Sequence, residues 1–94
     1  MFYVYIMTNR MYGTLYVGVT SNIARRAWEH RLGRVPGFTR RYDVKTLVFY
    51  EFHGSMLDAI RREKQIKEWK RAWKIALIES GNPDWHDLFD GVPF

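Results

Sequence analysis

Two strand-like segments joined by a polar turn constrain the fold of this chain more than any other feature. Residues 3–7 and 14–19 are rich in β-branched and aromatic side chains, and Asn9 and Gly13 in the turn readily adopt positive φ, which predicts a β-hairpin with a longer loop. Side chains alternate along a strand. One face is therefore predicted to be aliphatic and carries Phe2, Val4, Ile6, Leu15, Val17 and Val19. The opposite face carries Tyr3, Tyr5, Tyr16 and Gly18.

Two tyrosines of this hairpin are the first candidates for function. A turn centred near residues 10–11 places Tyr5 and Tyr16 directly or diagonally opposite each other. Gly18 has no side chain and is expected to let another backbone, such as that of a nucleic acid, approach the sheet. Tyrosine is also a common strand residue, so the hairpin alone favours packing over function for both phenols.

The distribution of charge favours a polyanionic partner. The chain has 94 residues, enough for one small domain, and a net charge of +5. Residues 25–45 and residues 61–74 each hold seven Lys or Arg against two acids, whereas four acids and no base follow Lys74. Nucleic acid is the commonest partner of such a surface, and basic helices that serve only solubility are the alternative.

Composition argues against several other classes of protein. No apolar run approaches the roughly 20 residues that a membrane span requires, and no signal pattern is found at the amino terminus, so a soluble, cytoplasmic protein is expected. The chain has no cysteine, and His30, His53 and His86 lack the spacing of zinc ligands. A zinc enzyme is therefore not expected.

A short helix is predicted after the hairpin. Residues 20–22 offer N-caps and Gly33 ends the helix. Arg26 and His30 are four residues apart and project from the same face. The apolar stripe does not explain this pair, for which a solvated arrangement is the alternative. The stripe itself consists of Ile23, Ala27, Trp28 and Leu32.

The second half of the chain is predicted to form a loop, a strand and helices. Residues 34–43 have a polar composition typical of a mobile loop, and residues 45–53 are apolar on both faces, as in a central or well-covered strand. Ser55 and Asp58 form a capping box that opens a second helix. A break near Lys70 is expected, because a continuous helix through it, about 39 Å long, would outrun so small a core.

The last helix is predicted to end at Gly81. Asn82 and Pro83 are then expected to start a short helical turn around Trp85 and Leu88. The buried face of the last helix is assigned to Trp69, Trp73, Ala76 and Leu77.

A carboxylate interrupts the apolar stripe of the second helix. Glu63 lies three residues from Ile60 and three from Ile66. An unpaired carboxylate costs several kcal/mol when it is buried, so Glu63 is expected to meet a cation, a metal ion or several donors. A structural salt bridge to a basic neighbour is the alternative.

These elements, in this order and spacing, resemble the GIY-YIG nuclease superfamily, in particular its small stand-alone bacterial members. The resemblance implies an α+β fold in which a three-stranded antiparallel sheet is flanked by three or more helices, in the order β-β-α-β-α-α. It also implies one nuclease domain over residues 1–89, with a short tail at 90–94. The chain departs from the family's first triplet at Tyr3, where the family has glycine, and both triplets have valine instead of isoleucine. The matching residues are Tyr3-Val4-Tyr5, Tyr16-Val17-Gly18, Arg26, His30, Glu63 within Arg62-Glu63-Lys64-Gln65-Ile66-Lys67, and Asn82-Pro83.

The resemblance further implies metal-dependent hydrolysis of a DNA phosphodiester. By this resemblance Tyr16 activates the attacking water, and Tyr5 and His30 belong to the same hydrogen-bond network. Arg26 holds the scissile phosphate. Glu63 binds a single divalent cation, Mg²⁺ or Mn²⁺, with water and phosphate filling its other positions.

The resemblance and the basic residues also lead to expectations about DNA contacts and about how the domain is targeted. Asn82 matches a polar residue near the family's active site. Larger relatives, such as the excinuclease C subunit, join this domain to DNA-binding modules that are not expected here, so a partner protein could supply targeting. A DNA-binding module that no longer cuts is the alternative function, and a helical protein-interaction adaptor is disfavoured by the charge segregation. The residues expected to contact DNA are Gly18, Arg25, Arg34, Arg40, Arg41, Lys64, Lys67, Lys70 and Arg71.

Overall fold

A three-stranded antiparallel sheet organises the computed structural model, which describes residues 1–93. The strands lie in the order β2-β1-β3, so the first strand is central. The α+β class and the element order that the sequence predicts are confirmed, with one additional short helix. The elements are β1 (Phe2–Thr8), β2 (Leu15–Thr20), α1 (Ile23–Arg31), α2 (Phe38–Arg41), β3 (Thr46–His53), α3 (Met56–Glu68), α4 (Arg71–Gly81) and a 3₁₀ turn (Phe89–Gly91).

The sheet separates two hydrophobic cores, as the alternation in the hairpin predicts. Tyr5 and Met7 belong to the first core, against α1 and Val44. Val4 and Ile6 belong to the second core, against α3 and α4. The central strand is thus apolar on both faces because helices cover both of its sides. None of the helices within residues 1–93 is both long enough and apolar enough to span a bilayer.

The third strand lies at an edge of the sheet and is only partly covered, so the expected central or well-covered position is wrong. Only Leu47 and Val48 in β3 are buried, and the Phe52 side chain is 57% exposed. Ile6 pairs with Phe49 and the next residue of β1 pairs with Leu47, which leaves Val48 as an extra residue in a β-bulge. An apolar run does not distinguish an edge strand from a central one, because the order of strands is a long-range property.

The region predicted as a mobile loop, residues 34–43, contains the short helix α2. Thr39 is buried there, and its carbonyl accepts a hydrogen bond from the backbone of Val44 at 2.8 Å. Val44 itself lies in the first core. The segment therefore packs against the domain through its backbone and two small side chains, while its charged side chains remain outside.

The break near Lys70 is confirmed, and the predicted buried face of the last helix is partly correct, because Trp69 and Leu77 are partly buried against the second core. Trp69 and Lys70 have extended ψ values of 150° and 148°, which separate α3 from α4. This break rotates α4, so that Ile78 is its buried residue, whereas Trp73 and Ala76 are exposed.

The predicted stripe of α1 is also only partly correct. Ile23 and Ala27 are buried, but Trp28 and Leu32 are exposed and His30 takes the inward position. Residues 23, 27 and 30 follow helical spacing, so the histidine, not the two larger apolar residues, completes the buried face.

The end of the chain packs without the predicted helical turn. Asn82 and Trp85 instead close a turn through a backbone hydrogen bond of 3.1 Å, with Trp85 at a φ of 56°. Val92, which falls in the predicted tail, lies in the first core. Phe94 lies outside the described residues.

Candidate active site

Three aromatic side chains from three elements meet on the first-core face of the sheet. Tyr5 pairs directly with Gly18 and Tyr16 pairs with Met7, which makes the two tyrosines diagonal neighbours, one of the two arrangements predicted. Their ring centroids are 6.2 Å apart. The ring of His30 lies 5.8 Å from the ring of Tyr5 and 5.5 Å from that of Tyr16. We call these three residues the aromatic cluster.

Gly18 makes room for one member of the cluster. A Cβ at this position would lie 2.5 Å from both Cζ and the hydroxyl of Tyr5. The phenol of Tyr5 therefore occupies the space that the missing side chain leaves. Gly18 was expected to let a phosphate backbone approach the sheet. Instead the space above Gly18 is occupied by the Tyr5 ring, so the glycine accommodates a protein side chain.

His30 is a buried, neutral member of the cluster. Its side chain is 2% exposed, and its Nε2 lies 3.1 Å from the Tyr5 hydroxyl. Its Nδ1 is buried and has no hydrogen-bond partner among residues 1–93. Burial lowers the pKa of His30 to about 4, Arg26 contributes in the same direction and Glu29 opposes it. The alternative of a solvated Arg26–His30 pair is therefore wrong for the histidine.

The phenol of Tyr5 responds to the three other groups that the sequence analysis selected. Burial raises the pKa of Tyr5 well above its usual range, Tyr16 and Glu63 raise it further, and Arg26 lowers it. Tyr5 is consequently protonated at neutral pH.

Glu63 projects from α3, the helix that packs on the other face of the sheet from the aromatic cluster. Its side chain is 13% exposed, and one carboxylate oxygen lies 2.9 Å from Nζ of Lys67. The salt bridge to a basic neighbour that the sequence left open is therefore present. Within residues 1–93 no group of three or more Asp, Glu, His or Cys side chains could hold a metal ion. A cation at Glu63 would thus have one protein carboxylate and an otherwise open coordination sphere.

Arg26 lies beside a polar cleft. The cleft has a volume of about 290 Å³, and Thr20, Ser21 and Arg25 are among its lining residues. The Arg26 side chain is 40% exposed, and its nearest carboxylate oxygen, on Glu29, is 3.8 Å away. This pair is too long for a hydrogen bond, so the guanidinium donors can turn to an anion in the cleft.

The structure does not bring Asn82 into hydrogen-bond contact with the cluster. Its amide nitrogen donates to the carbonyls of Val48 at 3.1 Å and His86 at 2.9 Å, and its side-chain oxygen accepts from the backbone of His86 at 3.0 Å. These contacts fix the last turn of the chain to the bulge of β3. Tyr16 lies on β2, at the opposite edge of the sheet.

Some of the bases expected to contact DNA are used inside the protein. Arg71 donates from Nη2 to the carbonyl oxygens of Tyr12 at 2.7 Å and Gly13 at 2.6 Å, which attaches the hairpin loop to α4. Lys67 is paired with Glu63. The remaining predicted bases are exposed, namely Arg25, Arg34, Arg40, Arg41, Lys64 and Lys70.

Sequence reasoning missed two aromatic residues next to the cluster. The ring of Phe38 is stacked on that of Tyr16, with centroids 6.3 Å apart and planes 27° apart. The ring of Tyr42 follows at 4.9 Å from that of Phe38. The sequence did contain a signal, two arginines between two aromatic residues in Phe38-Thr39-Arg40-Arg41-Tyr42. It was not used because the segment was assigned to a mobile loop.

Comparisons with known proteins agree with this architecture. A family model described as the GIY-YIG catalytic domain matches residues 1–76. The UPF0213 protein of Staphylococcus haemolyticus is 35% identical over 77 residues, which are 82% of this chain and 93% of the relative. The UPF0213 protein of Halobacterium salinarum is 41% identical over 66 residues, 70% of this chain and 86% of the relative. The solution NMR structure of a UPF0213 protein from Bacillus halodurans has a TM-score of 0.57 and 28% identity, and the match covers 93% of each chain.

Proposed function

The chain belongs to the GIY-YIG catalytic domain family, and on this premise we propose that it is an endonuclease that hydrolyses DNA phosphodiester bonds with the help of a divalent cation. The observation that carries the proposal is the meeting of Tyr5, Tyr16 and His30 from three elements, with ring centroids within 6.2 Å of one another and Nε2 of His30 3.1 Å from the Tyr5 hydroxyl. Hydrolysis of a phosphodiester requires a positioned nucleophile and positive charge at the phosphate oxygens. The cluster and Arg26 can supply both.

The tautomer of His30 decides the direction of the hydrogen bonds in the cluster. If Tyr5 donated to Nε2, the proton of His30 would lie on Nδ1, as a buried N–H without an acceptor among the described residues. The other tautomer leaves Nδ1 as a buried acceptor without a partner, so the burial of Nδ1 does not decide between the two. We propose the tautomer with the proton on Nε2, which donates to the Tyr5 oxygen. The hydroxyl hydrogen of Tyr5 is then free to point towards Tyr16.

Tyr16 is the general base in this proposal. It is partly exposed, whereas Tyr5 is buried and protonated. To act as the base, Tyr16 must be present as the phenolate, with its own proton released to solvent. A hydrogen bond from Tyr5 stabilises this anion, which then accepts a proton from the attacking water. His30 holds Tyr5 in the donating orientation. The roles of the two phenols thus follow from their different burial.

Arg26 and Glu63 supply charge stabilisation. The planar guanidinium of Arg26 can donate to two oxygens of a phosphate in the adjoining cleft. Glu63 fits a hard cation that keeps most of its water, Mg²⁺ or Mn²⁺, which would neutralise charge on the phosphate and leaving oxygens. Glu63 is mostly buried and its salt-bridge partner, Lys67, is half exposed, so the ammonium group can be displaced into solvent by a cation at this carboxylate. The same proposal includes a cytoplasmic location and leaves targeting to a partner protein.

A cleavage assay with paired variants tests the proposal. Labelled duplex, flap and branched DNAs are incubated with Mg²⁺ or Mn²⁺ and the wild type, Tyr16→Phe or Glu63→Gln. Each variant should cut at least about 100-fold more slowly, because general-base and charge contributions of this kind are worth 10²–10⁴ in rate. Binding of the same DNAs should persist in both variants.

Matched substitutions control for loss of fold. Tyr50→Phe removes a phenol that donates to the carbonyl of Gly91, and Glu68→Gln changes an exposed carboxylate at the end of the same helix as Glu63. Both controls should cut as the wild type does. Equal cutting by wild type, Tyr16→Phe and Glu63→Gln would contradict the proposed mechanism. Binding without cutting by the wild type would favour a non-cleaving DNA-binding module.

A further inference from the structure

A row of aromatic rings runs from the candidate active site to the protein surface. It begins at Tyr16, continues through Phe38 at 6.3 Å, and ends at Tyr42, 4.9 Å further on. Tyr16 and Phe38 are nearly parallel, with 27° between their planes. The helix α2, which carries Phe38, thus contacts the candidate active site through this pair of rings.

The outer two rings form a contiguous exposed aromatic patch. Phe38 is 46% exposed and Tyr42 is 45% exposed, and their ring centroids are 4.9 Å apart. A contiguous apolar patch of this kind is more typical of a binding surface than a single exposed aromatic residue is. Thr39 and Val44 supply the buried contacts of this segment, so its attachment to the domain does not require aromatic residues at positions 38 and 42.

Positive charge surrounds the exposed rings. Arg40 and Arg41 lie between them in the sequence and are exposed, and the guanidinium carbon of Arg41 lies 5.7 Å from the centroid of the Tyr42 ring. No carboxylate of residues 1–93 forms a salt bridge with either arginine. Aromatic faces for bases and free cations for the backbone are the two components of surfaces that bind single-stranded nucleic acid.

We propose that Phe38 and Tyr42 form a platform on which an unpaired base stacks, next to the phosphate held at Tyr16 and Arg26. The inference rests on the proposed function and specifies its substrate class: a DNA strand with unpaired nucleotides at the cutting site, such as a flap or a single-stranded end. A paired base inside a duplex is stacked between its neighbours and cannot present its face to these rings. Stacking on the platform therefore selects unpaired DNA without reading its sequence.

Equilibrium binding without metal tests the platform independently of cutting. Fluorescence anisotropy in EDTA compares a labelled 15-nucleotide strand with the blunt duplex that it forms with its complement. We expect the double variant Phe38→Leu/Tyr42→Leu to bind the single strand at least about 10-fold more weakly than the wild type, because each stacked base contributes measurably to affinity. Its affinity for the blunt duplex should change less than about twofold.

Phe52→Leu is the matched control, since Phe52 is an equally exposed aromatic residue on β3. This variant should bind both DNAs as the wild type does. Unchanged single-strand affinity in the double variant, or an equal loss in Phe52→Leu, would overturn the platform. Circular dichroism checks that the variants fold.

A second measurement needs no variant. 2-Aminopurine at an unpaired position of the strand should lose fluorescence when the wild type binds, because its emission is quenched by stacking. The absence of quenching would overturn the platform.

The proposed platform and the proposed endonuclease activity are contradicted by different results. If the protein binds with quenching but does not cut in Mg²⁺, the proposed endonuclease activity is contradicted and the stacking platform is supported. If it cuts blunt duplex and single strand equally fast, only the platform is contradicted. A wild type that binds neither DNA would overturn both.

Discussion

A neutral histidine buried against a phenol makes the stability of the protein depend on pH. The pKa of His30 is lowered from 6.5 to about 4 in the folded protein. Between these values the unfolded chain binds a proton that the folded protein does not bind. The free energy of unfolding is therefore fully retained above pH 6.5 and decreases as the pH falls towards 4, and the shift amounts to about 3 kcal/mol.

Urea unfolding at pH 7, 5.5 and 4.5 checks this prediction. The wild type should lose roughly 2–3 kcal/mol over this range through His30, in addition to any contribution from carboxylates. His30→Gln removes the titrating group and should show a correspondingly flatter pH profile. His86→Gln is the control, because His86 is largely exposed, and it should keep the wild-type profile. Identical pH profiles for His30→Gln and the wild type would contradict the assignment.

The residues of the cluster show what could be predicted from the sequence and what could not. The period of two along a strand was sufficient to place Tyr5 and Tyr16 on one face, and the structure confirms it. The function of Gly18 could not be predicted, because it depends on which side chain crosses the glycine in the pairing register. The helical spacing of residues 23, 27 and 30 indicated an inward orientation for His30, but the polarity of its imidazole ring favoured an exposed position.

The secondary-structure elements were predictable to the extent that local signals define them. The end of α3 was predictable because a single helix continuing through Lys70 would be longer than so small a core. Its start was predictable from the cap at Ser55, whose Oγ accepts a hydrogen bond from the backbone of Asp58 at 3.4 Å. The helix α2 has only four residues and no side-chain cap, so no periodic signal could identify it. The edge position of β3 and the rotation of α4 depend on packing between elements distant in the chain.

The connection between α4 and β3 gives a prediction about Asn82. Its side chain makes three hydrogen bonds, a buried one to the Val48 carbonyl and two partly buried ones to the backbone of His86. Asn82→Ala leaves these groups without partners and should lower the free energy of unfolding by about 2–3 kcal/mol. The rate of DNA cutting, measured below the melting temperature of the variant, should stay within about threefold of the wild type.

Asn22→Ala provides a comparison for this experiment. Asn22 caps α1 by accepting from the backbone of Arg25 at 3.0 Å, and its loss should cost about 1 kcal/mol. Greater destabilisation in Asn82→Ala with preserved cutting supports the structural role. A large loss of cutting by Asn82→Ala without loss of stability would instead restore the catalytic role implied by the resemblance.

At the scale of the whole molecule, shape limits how many charges reach the DNA at once. The described chain measures 29 × 28 × 25 Å, which is less than one turn of a duplex, about 34 Å long. Charges on the far side of the domain lie beyond the Debye length of about 8 Å at physiological salt. The net charge of +5 therefore matters less than the exposed bases on the side that carries Tyr16 and α2.

The salt dependence of binding counts the contacts made by these bases. The logarithm of the binding constant falls with the logarithm of salt concentration, with a slope of about −0.7 per neutralised phosphate of a single strand. Arg40→Gln/Arg41→Gln should therefore make the slope less negative by about 1.4 for the 15-nucleotide strand, measured by anisotropy between 50 and 300 mM NaCl. Lys45→Gln is the control from the same basic block, because Lys45 is paired with Asp43 at 2.9 Å, and it should leave the slope nearly unchanged.

Phe38→Leu/Tyr42→Leu should weaken binding at every salt concentration without changing the slope, since stacking releases no counterions. A slope unaltered by the arginine substitutions would mean that the DNA backbone does not pass along α2, and the stacking platform would then lose its electrostatic support.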